Sequence, residues 1–235
     1  MFVLAMINAR GGSRGIPRKN IKSFLGKPLI AHSIELALKI KEIDEVIVST
    51  DDKKIADIAQ KYGATIPFMR PKKLATSKSL QIDTIVYNLK KFEKIKKREI
   101  DLVVLLQPTA PLRNADDVIG CIKLMKKKNP DTVISIADVG CKHPSGIYRV
   151  GKDESLIPFV KKSKSGFNRQ QLEKIYWRTG SVYVIQRNVI LKNNAIYGDK
   201  IIGYKVSEER AFNIDTKFDW KLAELWGKYK KNYER

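Results

Sequence analysis

The chain has 235 residues, 43% of them hydrophobic, with 46 Lys and Arg against 25 Asp and Glu, for a formal net charge of +21. That length buries a substantial core, and 14 Gly and 9 Pro are ordinary for a folded domain, so disorder is excluded. No apolar run approaches the roughly 20 residues of a membrane-spanning helix, and Cys121 and Cys141 lack CxxC or Cys/His spacing, which points to reduced thiols in a cytoplasmic protein.

In chain order, apolar runs alternate with helical patterns. "FVLAMI" (2–7) reads as a buried strand rather than a secretory signal, since no basic segment precedes it. Pro28 opens a helix in "LIAHSIELALKI", and "EVIVST" is the next strand. "DDKKIADIAQKYG" predicts a helix with Ile55, Ile58, Ala59 and Tyr62 on one face, stopped by Gly63. "SLQIDTIVYNLKKF" repeats the helical spacing at Ile82, Ile85, Val86 and Leu89, and "DLVVLLQ" is a buried strand. Asn114 caps a helix in "NADDVIGCIKLM", and "DTVISIA" is a strand again. The last helix, "KFDWKLAELWGKY", aligns Phe218, Leu222, Leu225, Trp226 and Tyr229, which predicts that face, Trp226 included, as core.

This alternation is the signature of an α/β fold: a mostly parallel sheet with helices on both faces, here one domain over residues 1–235. The rhythm breaks between about 138 and 177, which is too long for a connector in a compact α/β domain. The stretch holds an irregular hairpin turning at Gly151 and reads as an inserted arm, serving as a lid or an oligomer contact. The basic clusters "KKFEKIKKRE", "KLMKKKN" and "KKSKS" lack interleaved stacking aromatics. They read as solvated helix ends and loops, with neither a nucleic acid nor a membrane as partner. A positive field also favours anionic small substrates.

"NARGGSRGIPRKN" (8–20) follows the first strand directly. Arg10, Arg14, Arg18 and Lys19 stand among Gly11, Gly12 and Gly15, with no acid. Glycine allows backbone N–H groups to approach a phosphate, and the cations add charge-assisted contacts, so a triphosphate suits this loop. The P-loop pattern is absent, and the glycine spacing does not satisfy G-x-G-x-x-G.

"INARGGSRGIPRKNIKSFLGKPLIAHSI" resembles the opening signature of the CMP-sialic acid synthetase family, the N-acylneuraminate cytidylyltransferases and related CMP-nonulosonate synthetases. The likeness continues in order through "VIVSTDD", "YGATIPFMRPKKLAT", "LLQPTAPLR", "YWRTGSVYVI" and "NIDTKFDW", spanning essentially the whole chain. It implies a Rossmann-like nucleotidyltransferase fold with a dimerisation arm, a homodimer, and Mg²⁺-dependent joining of CTP to an acidic nine-carbon sugar. In that reaction the anomeric 2-hydroxyl attacks the α-phosphate and pyrophosphate leaves.

By the same resemblance, Arg10, Gly12, Ser13, Arg14, Lys19 and Asn20 line the triphosphate, and Arg10 and Lys19 offset charge on the leaving group. Arg18 is surface. Arg70, restrained by Pro71, approaches the cytosine, and Thr76, Ser77 and Ser79 contact the nucleotide. Gln107, at a strand end stiffened by Pro108 and Pro111, bonds the sugar acid. Lys142, Arg169 and Gln170 in the arm help hold its carboxylate, and Tyr183, with Tyr176, flanks "RTG" on the sugar side. Asp215 is the main Mg²⁺ ligand, with Asn213 offering a carbonyl oxygen, and Asp219 is a first-turn helix acid. Asn213, Ser77 and Thr179 depart from the family pattern, which has acids at the first two places and N-G around the third. Arg113 reads as a residue at the start of a helix, and His143 as structural. The nearest rival is a nucleotidyltransferase for another sugar, such as CMP-3-deoxy-manno-octulosonate synthesis. A nucleic-acid-binding module on the same fold is the rival from another class.

Overall fold

The computed structural model describes residues 1–13, 15–160 and 172–233. The first apolar run forms β1 (Val3–Asn8). A two-residue ladder, β2 (Ser23–Phe24) with β3 (Lys27–Pro28), leads into α1 (Leu29–Leu38). There follow β4 (Glu45–Ser49), α2 (Lys53–Lys61), α3 (Gln81–Lys96), β5 (Leu102–Leu106), α4 (Ala115–Lys128) and β6 (Thr132–Asp138). The hairpin β7 (Tyr148–Val150) and β8 (Leu156–Pro158) precedes β9 (Tyr176–Gln186), α5 (Arg187–Leu191), β10 (Ile201–Lys205) and α6 (Lys217–Tyr233).

The main sheet runs β10-β6-β9-β5-β1-β4. β5, β1 and β4 are mutually parallel, β10 is parallel to β6, and β9 runs antiparallel to both of its neighbours. Because strand side chains alternate, Val3, Ala5 and Ile7 of β1 enter one apolar layer with α1, α2 and α4, while Leu4 and Met6 enter a second with α3 and α5. Both faces are covered, as the unbroken apolar strand "LVVLL" requires.

Helix boundaries follow local chemistry. Asp52 caps α2 by accepting from Ile55 N at 3.1 Å, and Gly63 (φ +93°) ends the segment in the left-handed region. Asn114 and Asp117 form a reciprocal capping box on α4. Thr216 and Asp219 do the same for α6: Asp219 N donates to Thr216 Oγ1 at 3.1 Å and Thr216 N to Asp219 Oδ2 at 2.7 Å.

The buried face of α6 differs from the one its spacing predicts. Trp220 and Ala223 pack inward with Ile16, Phe24 and Leu29, and Gly227 faces Leu25 and Leu112, whereas Phe218, Leu222, Leu225 and Tyr229 are exposed and Trp226 is half-buried. The reason is close approach. A side-chain carbon at Gly227 would lie 2.5 Å from Leu25 Cδ1, so the helix seats through its small residues and one Trp. The hairpin within 138–177 leaves Ile147, Tyr148, Val150, Leu156, Ile157, Phe159 and Val160 exposed. Among the described residues no helix is long and apolar enough to cross a membrane, and Cys121 and Cys141 are free thiols.

One long-range ion pair clips the segment before α6 to α4. Arg210 Nε and Nη2 grip both oxygens of Asp117 at 3.0–3.2 Å, and Asp117 is 2% exposed. Arg210→Ala leaves a buried carboxylate with only its capping partner. We expect a loss of about 2 kcal/mol in urea unfolding, the partly solvated Arg210 holding it below the usual range for a buried pair.

Candidate functional site

The parallel strands β1, β4 and β5 end at one edge of the sheet, with Asn8 and Ser49 as the last residues of β1 and β4 and Gln107 just after β5. There β9 departs from β5. It pairs with β5 as far as Leu106↔Val182, then bulges through Thr179, Gly180 and Ser181 before continuing along β6 alone. Gly180 takes φ +71° at the bend, and a side-chain carbon on it would lie 3.9 Å from Gln107 Oε1. At this edge lies a cavity of about 370 Å³ lined by Asn8, Arg10, Ser13, Gly15, Lys19, Asn20, Gln81, Gln107, Pro108, Thr109 and Asp215.

The cationic loop forms one wall and is staked at several points. Gly11 N donates to Asp51 Oδ1 at 3.0 Å, Asn20 Nδ2 donates to Arg10 O at 3.0 Å, and Ile16 is buried against Ile214 and Trp220. Arg10 Nη1 donates to Thr76 O at 2.8 Å, and Arg18 pairs with Asp52 at 3.4 Å on the outside. Gly15 lies so close to the far segment that a Cβ there would fall 2.3 Å from the Asp215 carbonyl oxygen. At Gly12 a Cβ would meet nothing within 4 Å, so the chain there is open to an approaching group.

Lys19 joins the loop to the opposite wall. Its Nζ donates to Ile214 O at 2.6 Å and to Asp215 Oδ1 at 3.0 Å, and Ile214 N donates to Thr109 O at 2.7 Å. Asn213 Nδ2 donates to Asp215 Oδ2 at 2.9 Å, while Asn213 Oδ1 is shielded from solvent without a partner. Asn213 thus holds Asp215 through its amide nitrogen and keeps its own amide oxygen unengaged. Among the described residues no three His, Cys, Asp or Glu side chains gather as a metal cluster. The donor set is one exposed carboxylate in a cationic cavity. That fits Mg²⁺, which commonly takes one or two carboxylates and completes its octahedron with phosphate oxygens and water.

Two buried guanidinium groups stand behind the cavity. Arg70 Nη2 donates to Ser49 O at 2.6 Å and to Asn8 Oδ1 at 3.2 Å, and its Nε donates to Ser49 Oγ at 3.0 Å. Burial pushes its pKa down to about 10; Asp51 opposes this shift and Arg10 adds to it. Arg113 donates to Ser181 O at 2.7 Å, to Ser33 Oγ at 2.6 Å and to Gln107 O. Burial pushes it down to about 9 against the pull of Asp117.

The structure thus brings Arg10, Ser13, Lys19, Asn20, Gln107 and Asp215 around one cavity. Thr76 and Ser79 are bonded within their own turn (Oγ1···Oγ 2.8 Å), and Ser77 is exposed on that turn. Lys142 lines a separate cavity of about 490 Å³ with Trp177 and Glu208, which shares no lining residue with the first. Tyr183 is buried in the layer with α3, where burial raises its phenol pKa. Thr179 is turned inward, its hydroxyl 2.7 Å from that of Ser135. His143 is hydrogen-bonded to Ser145 Oγ and Glu173 O. Arg14, Arg169 and Gln170 lie outside the described residues.

Sequence reasoning missed Asn8, Gln81 and Thr109 on the lining and undervalued Arg113. The available signal was polarity out of place: Asn8 closes an apolar strand, and Asn88 sits on the apolar face of α3 between Ile85 and Leu89.

Fold and site together define a Rossmann-like α/β enzyme built to grip a polyanion at the carboxyl edge of its sheet. The chain belongs to the cytidylyltransferase family, whose model matches residues 4–221. It is 35% identical over 228 residues to a CMP-N,N'-diacetyllegionaminic acid synthase of Legionella pneumophila, covering 95% of each chain. It is 32% identical over 231 residues to a pseudaminic acid cytidylyltransferase of Campylobacter jejuni, covering 98% of this chain and 97% of that one. A solved CMP:2-keto-3-deoxy-manno-octonic acid synthetase complexed with CTP shares the fold, with TM-score 0.71 at 18% identity over 99% and 100% of the two chains.

Gly15→Ala forces either the loop or the Asp215 backbone to shift. We expect kcat/KM for the native reaction to fall by about 100-fold with little change in Tm, measured on purified variants.

Proposed function

We propose that the chain joins CTP to a nonulosonic acid, giving the CMP-sugar and pyrophosphate. The observation that carries this reading is the pairing of an acid-free cationic loop with one carboxylate, Asp215, across a cavity at the strand ends. Membership of the cytidylyltransferase family supports CTP as donor. The two relatives, named for a legionaminic and a pseudaminic acid, support a nine-carbon sugar acid as acceptor.

Arg10, Ser13, Lys19 and backbone N–H groups of the loop bind the triphosphate. Arg10 and Lys19 offset the negative charge that grows on the leaving pyrophosphate. Arg70 stands at the base end of the nucleotide. Gln107 hydrogen-bonds the sugar acid and holds its anomeric hydroxyl toward the α-phosphorus; the new P–O bond forms as the bond to pyrophosphate breaks and the hydroxyl loses its proton. Mg²⁺, held by Asp215 with triphosphate oxygens, would neutralise charge on the phosphates. The chain acts as a homodimer through the hairpin β7–β8, whose apolar residues are uncovered in the single chain, and Lys142 meets the sugar carboxylate in that assembly. A CTP-consuming reaction of this kind belongs in the cytoplasm.

Pyrophosphate release from CTP, UTP, ATP and GTP with a panel of sugar acids and Mg²⁺ tests the reading. N,N'-diacetyllegionaminate, pseudaminate, N-acetylneuraminate and 3-deoxy-manno-octulosonate form the panel. The expected result is turnover with CTP and a nonulosonic acid; turnover confined to the octulosonate, or none at all, overturns the assignment. Asp215→Ala should lower kcat by at least about 100-fold at limiting Mg²⁺. Sedimentation should give a dimer that Ile157→Glu dissociates.

A further inference from the structure

At the end of β1 stands an amide that the fold uses only by half. Asn8 Oδ1 accepts from Arg70 Nη2 and from Asn88 Nδ2, each at 3.2 Å. Two donors on one atom make it the oxygen, because reversing the amide would set N–H against N–H. Asn88 is itself fixed: it is fully buried on α3, and its Oδ1 accepts from Ser49 Oγ at 3.0 Å. Ser49 Oγ in turn accepts from Arg70 Nε. Of the four amide atoms in the two asparagines, Asn8 Nδ2 is the one without a partner, and it is shielded from solvent. A buried donor left unpaired is costly and calls for an explanation.

Asn8 also lines the cavity. The charged groups there, Lys19, Arg10 and Asp215, belong to the loop and to the segment facing it, whereas Asn8 belongs to the strand end beside Arg70. A neutral amide adds little to the binding of a polyanion. Its value lies in distinguishing an acceptor from a donor on a planar ring. Cytosine N3 is an acceptor, whereas uracil carries a hydrogen there, and a site that donates to this position rejects the ring that cannot accept.

We propose that Asn8 is a specificity-determining residue that reads the nucleotide base, its Nδ2 donating to cytosine N3 while Arg70 and Asn88 hold the amide in that orientation. The inference rests on the reading of the chain as a CTP enzyme. Asn8→Asp is the informative change. It keeps an oxygen for Arg70 and Asn88 and replaces the donor with an acceptor, which repels cytosine N3 and accepts from uracil N3–H.

Binding of CTP and UTP to the full chain with Mg²⁺, measured by calorimetry without any sugar, tests it. Wild type should prefer CTP. In Asn8→Asp the Kd for CTP should rise at least about tenfold, and the CTP-to-UTP preference should fall at least about 100-fold. In Asn8→Ala the CTP affinity should fall without any gain for UTP. If wild type shows no preference for CTP, the CTP reading itself fails. If wild type prefers CTP and folded Asn8→Asp keeps both its Kd and its preference, the role of Asn8 is overturned and the CTP reading stands. Should Asn8→Asp fail to fold, Asn8→Ala decides, and an unchanged preference in that variant overturns the proposal.

Discussion

Where β9 turns away from β5, carbonyl groups at the sheet edge lose their ladder partners, and the guanidinium of Arg113 replaces them. One side chain donates to the Gln107 carbonyl at the end of β5, to the Ser181 carbonyl in the bulge and to Ser33 on α1. A buried cation needs hydrogen-bond partners, and the Nη1 and Nη2 groups of Arg113 find three acceptors while its Nε is left without one. Arg113 thereby ties the bulge to the end of β5, where Gln107 lines the cavity. Arg70 plays the matching part at the end of β4, so two positive charges lie behind a cavity that itself carries Arg10 and Lys19.

This concentration of like charge sets the electrostatics of the site. The loop is acid-free in sequence but not in space. Asp51 accepts from Gly11 N, Asp52 pairs with Arg18, and Asp215 pairs with Lys19. These partners hold the loop open without neutralising the cavity. Lys19 bridges segments 196 residues apart in the chain, so the first loop and the segment before the last helix form one site. An arriving polyanion then exchanges contacts with groups already in position, and little ordering remains to be done on binding.

The exposed surfaces divide by kind. The lysines of the helix ends are solvated, as their lack of interleaved aromatics suggested. The apolar residues of the β7–β8 hairpin are another matter, because a two-stranded ribbon with uncovered Ile, Leu, Val and Phe side chains is marginal alone in water. The outer stripe of α6 is also apolar, but its 4-3-4 spacing, which reads in sequence as a core face, is turned from the core. A helix can carry apolar residues on two faces, and packing distance at Ala223 and Gly227 selects between them.

Period and capping made the layers legible in the sequence: each of β1, β4, β5 and β6 and each of α1 to α4 lies within a residue or a few of its predicted span, because local spacing alone decides them. The cationic loop was legible as chemistry for the same local reason, an unusual charge pattern beside an apolar strand, whereas Asp215 was legible only through the resemblance of its segment to the family. The neighbours of a residue are a different matter. That Lys19 reaches Asp215, that buried Arg113 bonds the Gln107 and Ser181 carbonyls, that Asn213 holds Asp215, and that Asn8 keeps one amide atom unpaired are facts of packing that local sequence does not carry. Local propensity carries no information about which strand diverges from which, and that divergence, with the side chains it brings together, is where tertiary packing alone decided the site.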